Sequence, residues 1–166
     1  MKQCLNVLLL AAALISPSAF AHDYTHGSIE IEHPWSRPTP PGTPMGVGYM
    51  AVTNNGNDAV TLVSAESPRA SHISIHESSM RDGVMRMQPV SGGLAIPAGE
   101  TIELKPHGYH LMLEGLREAL KPGERIPVTL QFDGAESLSV ELTVETLDGA
   151  MKQTEMKMEH SERKMN

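Results

Sequence analysis

From residue 47 to residue 146 the chain is a succession of short alternating runs cut by turn residues, and this rhythm limits the fold more than any other feature. The candidate strands are residues 47–53, 59–64, 72–77, 84–90, 101–105, 110–114, 126–132 and 137–146. Between them stand Asn54-Asn55-Gly56-Asn57-Asp58, Arg81-Asp82-Gly83, Ser91-Gly92-Gly93, Pro106-His107-Gly108, Pro122-Gly123 and Asp133-Gly134. Such clusters of Gly, Pro, Asn and Asp end extended segments and reverse the chain. The one helix-like run, 116–120, is too short to change the class. The pattern predicts an all-β protein, an antiparallel Greek-key sandwich or barrel. It does not give the strand order.

The first 21 residues read as a leader and not as part of the fold. Lys2 is followed by an apolar run over 7–15 and by the small-residue site Ala19-Phe20-Ala21. That layout is a secretory signal peptide, and the run is too short to span a bilayer. Cleavage after Ala21 leaves His22 as the new first residue and predicts export to the periplasm, with no membrane-spanning segment in the processed chain. Cys4 precedes the apolar run, so it does not make a lipoprotein signal. Next come the alternating residues Ser28-Ile29-Glu30-Ile31-Glu32, and then Pro34, Pro38, Pro40, Pro41 and Gly42, which mark an irregular stretch around Trp35. A lone tryptophan is usually buried, and Trp35 is read as a plug in the sandwich. Residues 148–166 change character again, with methionines scattered among Lys, Glu and Ser, and predict a disordered tail. The expected organisation is a leader over 1–21, a domain over 22–147 and a tail over 148–166.

Charge and cysteine usage narrow the chemistry. A formal charge of −7 argues against nucleic acid as a partner. The only cysteine, Cys4, leaves with the leader, which excludes disulfides, thiolate zinc sites and a cysteine nucleophile. Methionine is abundant instead, at 11 residues against one Trp and two Phe. Methionine fills cores well, but its thioether is also a soft ligand suited to Cu(I).

Three strand segments carry the candidate chemistry. Residues two apart on a strand share a face, so His110 and Met112 are neighbours while Leu111 turns inward. Met85 and Met87 share a face in the same way. So do His72, Ser74 and His76, opposite Ile73 and Ile75. A hairpin turn at Asp82-Gly83 brings the strand of His76 beside the strand of Met87. Imidazoles and thioethers together suit Cu(I), whereas Ca²⁺ and Mg²⁺ need oxygen ligands and structural zinc is usually held by Cys and His. A blue-copper electron-transfer site would need a cysteine.

These residues sit within a wider resemblance to the periplasmic copper chaperones of the PCu(A)C type. The matching stretches are His33-Pro34-Trp35-Ser36-Arg37, Thr39-Pro40-Pro41-Gly42, His76-Glu77, Asp82-Gly83-Val84-Met85-Arg86-Met87, Gly93-Leu94, Ile96-Pro97-Ala98-Gly99, Leu104-Lys105-Pro106 and Gly108-Tyr109-His110-Leu111-Met112. They run over residues 28–146. The family's metal motif is a His, ten residues, a Met, about twenty-one residues, and His-x-Met; here the second interval, Met87 to His110, is one residue longer. The resemblance implies a cupredoxin-like β-fold, a copper site made by His76, Met87, His110 and Met112, and no enzymatic activity. It also implies delivery of Cu(I) to the copper centre of cytochrome c oxidase, through an oxidase subunit or an assembly factor.

Two further copper readings attach to the ends. Met151, Met156, Met158, His160 and Met165 form a candidate second site, with Cu(II) held through His160. An exposed N-terminal His22, with His26 nearby, is the arrangement a copper oxidase would use, but nothing else in the chain supports oxidative chemistry. Neither a Gly-x-Ser-x-Gly elbow, a phosphate loop nor a His-Glu-x-x-His helix is present. The remaining alternative is a non-catalytic interaction module in which every Met and His is structural.

Overall fold

The computed structural model describes residues 23–146, which form eleven strands and, among the described residues, no helix. The strands are β1 Tyr24–His26, β2 Ile29–Ser36, β3 Met45–Asn54, β4 Val60–Glu66, β5 His72–Arg81 and β6 Val84–Pro89. They continue with β7 Leu94–Ile96, β8 Thr101–Leu104, β9 Tyr109–Glu114, β10 Arg125–Asp133 and β11 Leu138–Val144. Alternation explains the strands well. In β11, Leu138, Val140, Leu142 and Val144 are buried while Ser139, Glu141 and Thr143 are not. This period-two pattern puts every apolar residue on the core side.

The sheet runs β6-β5-β9-β8-β3-β2-β11-β10-β4-β7, with β1 added to β2 and a further pairing of β9 with β3. Its two ends fold over one another, since a single aliphatic core collects Ile73 and Ile75 from β5, Leu111 and Leu113 from β9, Leu62 from β4, Ile96 from β7 and Leu130 from β10. This is the expected all-β sandwich. Most pairings are antiparallel, and two parallel ones are added: β2 with β11, through Trp35 and Thr143, and β8 with β9, through Leu104 and Tyr109.

The stretch around Trp35 is a strand rather than a loop. A register shift between Glu32 and Trp35 interrupts the pairing of β2 with β3. Within it His33 adopts φ 45 and Pro34 escapes the need for a ladder hydrogen bond. The bulge also changes parity. Glu32 lies opposite Ala51 and Trp35 opposite Tyr49, so both point away from the main core, while Ser36 turns inward and donates to the Val47 carbonyl at 2.6 Å. Trp35 therefore does not plug the sandwich. It packs with Tyr49 and Val47 in a separate small cluster on the outer face.

Candidate metal centre

Strands β6, β5, β9 and β3 lie side by side, and their register fixes which side chains meet on the outer face. His76 pairs directly with His110, Ser74 with Met112, and Met112 with Val47. On the other flank, Ser78 pairs with Met87 and His76 with Pro89. Met87 is thus the diagonal neighbour of His76, a separation long side chains bridge. The β5–β6 connection has Asp82 at φ 52 and Gly83 at φ 75, the paired positive φ values of a two-residue hairpin turn.

The structure sets His76 and His110 opposite one another, with ring centroids 5.9 Å apart. His110 is buried and its Nδ1 lies 3.0 Å from the Gly108 carbonyl. A carbonyl only accepts, so Nδ1 carries the proton and Nε2 keeps its lone pair free for a ligand. The His76 Nε2 lies 3.0 Å from Ser74 Oγ, and its Nδ1 is buried without a hydrogen-bond partner. Leaving a buried polar nitrogen unpaired costs about 1–3 kcal/mol, so this ring is incomplete as it stands. Sequence reasoning placed Gly108 only in a turn and a matching stretch, and Ser74 only on a shared face, because hydrogen bonds that orient a ring depend on local backbone geometry.

The four predicted residues share one face but differ in exposure. Met112 is 6% exposed and Met87 51% exposed. Behind His110 the rings of Tyr49, Trp35 and His33 continue across the sheet, with centroid separations of 6.5, 4.7 and 6.1 Å. Burial raises the Tyr49 phenol above its usual range, and the nearby Arg37 guanidinium opposes that shift. Below Met112 opens a groove of about 290 Å³, lined among others by Arg37, Pro38, Met45 and Val47. Among the described residues no three His, Asp or Glu side chains converge to hold a metal. His22 and the tail set Met151, Met156, Met158, His160 and Met165 lie outside the described residues.

The family model described as "Putative lipoprotein LpqE-like" matches residues 29–144. The chain belongs to the LpqE-like family. A relative in Leifsonia xyli subsp. xyli, the putative lipoprotein Lxx21020, is 34% identical over 122 residues, covering 74% of this chain and 72% of the relative. The uncharacterized protein RP573 of Rickettsia prowazekii is 27% identical over 109 residues, 64% of this chain and 60% of that protein. Among solved structures, this LpqE-like chain has the fold of the copper-bound PCuAC domain from PmoF2, with a TM-score of 0.65 at 24% identity, over 75% of this chain and 98% of the domain. The Cu(I) form of DR1885 from Deinococcus radiodurans gives a TM-score of 0.55 at 29% identity, over 78% of this chain and 85% of that one. The LpqE-like match and the PCuAC neighbours together bear out the resemblance to the PCuAC-type copper chaperones.

Proposed function

We propose that this protein is an exported copper chaperone that holds Cu(I) between His76, His110, Met112 and Met87 and releases it to an acceptor protein. The observation that carries the reading is the His76–His110 pair: two imidazoles 5.9 Å apart, one with Nε2 freed by its bond to Gly108 and one with a buried, unpartnered nitrogen. A soft cation between them would satisfy that nitrogen, and Met112 and Met87 flank it on the same face. Neutral imidazole and thioether donors favour Cu(I) over hard divalent ions. The copper-bound PCuAC domain and Cu(I)-DR1885 support the reading as proteins of the same fold that carry copper. Half-exposed Met87 gives an acceptor a ligand to displace first, which suits transfer by exchange rather than catalysis.

In this reading the leader over 1–21 is removed during export to the periplasm, the domain over 22–147 carries the ion, and the tail over 148–166 offers a second copper site with Cu(II) at His160. The acceptor is a copper-receiving protein, and the copper centre of cytochrome c oxidase is the recipient the family resemblance points to. The family model and the Leifsonia relative carry the name putative lipoprotein, but the only cysteine here, Cys4, stands before the apolar run.

The test is an anaerobic Cu(I) titration against a chromophoric chelator, beside a His76→Ala/His110→Ala variant. The expected result is one tightly held ion at this site in the wild type and an affinity loss of at least about 100-fold in the variant, roughly 2.7 kcal/mol. Equal affinity in both proteins would overturn the site.

A further inference from the structure

The β5–β6 hairpin carries apolar surface that the fold does not use. Every residue of β6 is exposed. Met80, Met85 and Met87 are 63%, 42% and 51% exposed, and none belongs to either packed cluster. An edge strand is ordinarily protected by lysine or proline, and strand propensity favours β-branched and aromatic residues over methionine. Neither packing nor propensity accounts for three thioethers here.

Their register does place them together. Met80 lies directly opposite Met85, so their Cβ atoms are about 5 Å apart. Met85 and Met87 are two residues apart on one face, about 7 Å along the strand, and Met87 is diagonal to His76. Over the paired stretch of the hairpin this face otherwise holds Ser78, His76 and Pro89, with Ser74 and His72 beyond them on β5. The charged residues Glu77, Arg81 and Arg86 fall on the opposite face, as alternation requires. The row therefore contains soft neutral donors and no carboxylate, which disfavours hard divalent cations and suits a soft monovalent one.

We propose that Met80 and Met85 form an outer Cu(I) site at the hairpin tip, which captures the ion and passes it through Met87 to the imidazole pair. This rests on the copper reading of His76 and His110. Two thioethers bind more weakly than two imidazoles with two thioethers, so the ion moves inward down a gradient of affinity. Each step is a ligand exchange: one copper–sulfur bond forms as the preceding one breaks, and copper stays in the +1 state throughout.

The test uses the full processed chain with isotopically labelled methionine methyl groups, titrated anaerobically with Cu(I), together with Met80→Leu/Met85→Leu, which keeps shape and removes sulfur. In the wild type the Met80 and Met85 methyl resonances shift in a second, weaker binding phase, and they still shift in His76→Ala/His110→Ala. In the leucine variant the inner affinity is unchanged while loading from the chelator slows about tenfold, the kinetic equivalent of about 1.4 kcal/mol. Unshifted Met80 and Met85 resonances with wild-type loading would overturn the outer site and leave the inner one standing. A leucine variant that lost inner affinity would also overturn it, by assigning these sulfurs to the inner site. A wild type that bound no Cu(I) would instead remove the copper reading itself.

Discussion

Both faces of β9 are buried, but by different neighbours. On the inner face Leu111 and Leu113 are wholly enclosed by aliphatic side chains from across the sandwich. On the outer face His110 and Met112 are nearly as enclosed, at 4% and 6% exposure, yet their cover is Tyr49, His76 and Val47. The inner face repeats one kind of side chain and gains from area alone. The outer face pairs polar rings in fixed orientations and grades outward to the exposed sulfurs of β6. The difference teaches that, on the copper reading proposed above, burial on β9 serves two ends, stability inside and a prepared set of donors outside. Neighbouring residues on one strand should therefore fail in different assays.

The largest effect tests the inner half of that comparison. Leu111→Ala removes a fully buried side chain and should cost about 2–5 kcal/mol, read as a lower denaturant midpoint. Copper capacity per folded molecule should stay at the wild-type level. A loss of copper affinity without a loss of stability would break the comparison, because Leu111 would then be acting on the outer face.

The next effect sharpens the outer half. Ser74→Ala removes the hydroxyl beside His76 Nε2 and should weaken Cu(I) binding by about tenfold, the usual scale for a group that orients a metal-binding imidazole. Its stability cost should stay near 1 kcal/mol. Unchanged affinity in the chelator competition would show that Ser74 does not set the His76 ring.

The smallest effect lies at a rim position belonging to neither face. Glu124 accepts from the Lys121 amide at 2.9 Å, with Arg69 at 3.6 Å. That amide bond, helped by Arg69, holds the carboxyl below its usual range. A carboxylate lowered in this way adds stability above its ordinary value, and loses it as pH falls through the folded value. Glu124→Gln should thus be slightly less stable than wild type at neutral pH, with urea midpoints converging in acid. A gap that stayed constant with pH would remove the charge from the explanation.

Much of the strand content was legible because alternation and turn residues are local. The hairpin at Asp82-Gly83 and the shared faces of His110 with Met112, and of His72, Ser74 and His76, follow from a period of two and a two-residue turn. The 29–36 strand was legible only in part, since a bulge that absorbs Pro34 looks like an interruption. Strand β7, three residues long, carries too short a pattern to be seen.

By itself, then, the sequence determined the all-β class, the inward course of Leu111, Ile73 and Ile75, and the supply of imidazole and thioether side chains. Tertiary structure alone decided that His76 stands opposite His110, since pairing β5 with β9 joins residues far apart in the chain. It also decided that Trp35 faces outward, because one shift in register reverses the side of every residue beyond it. The freed Nε2 of His110 and the unpartnered nitrogen of His76 depend on ring orientation. That is set by the backbone at Gly108 and by the hydroxyl of Ser74, and no spacing in the sequence expresses it.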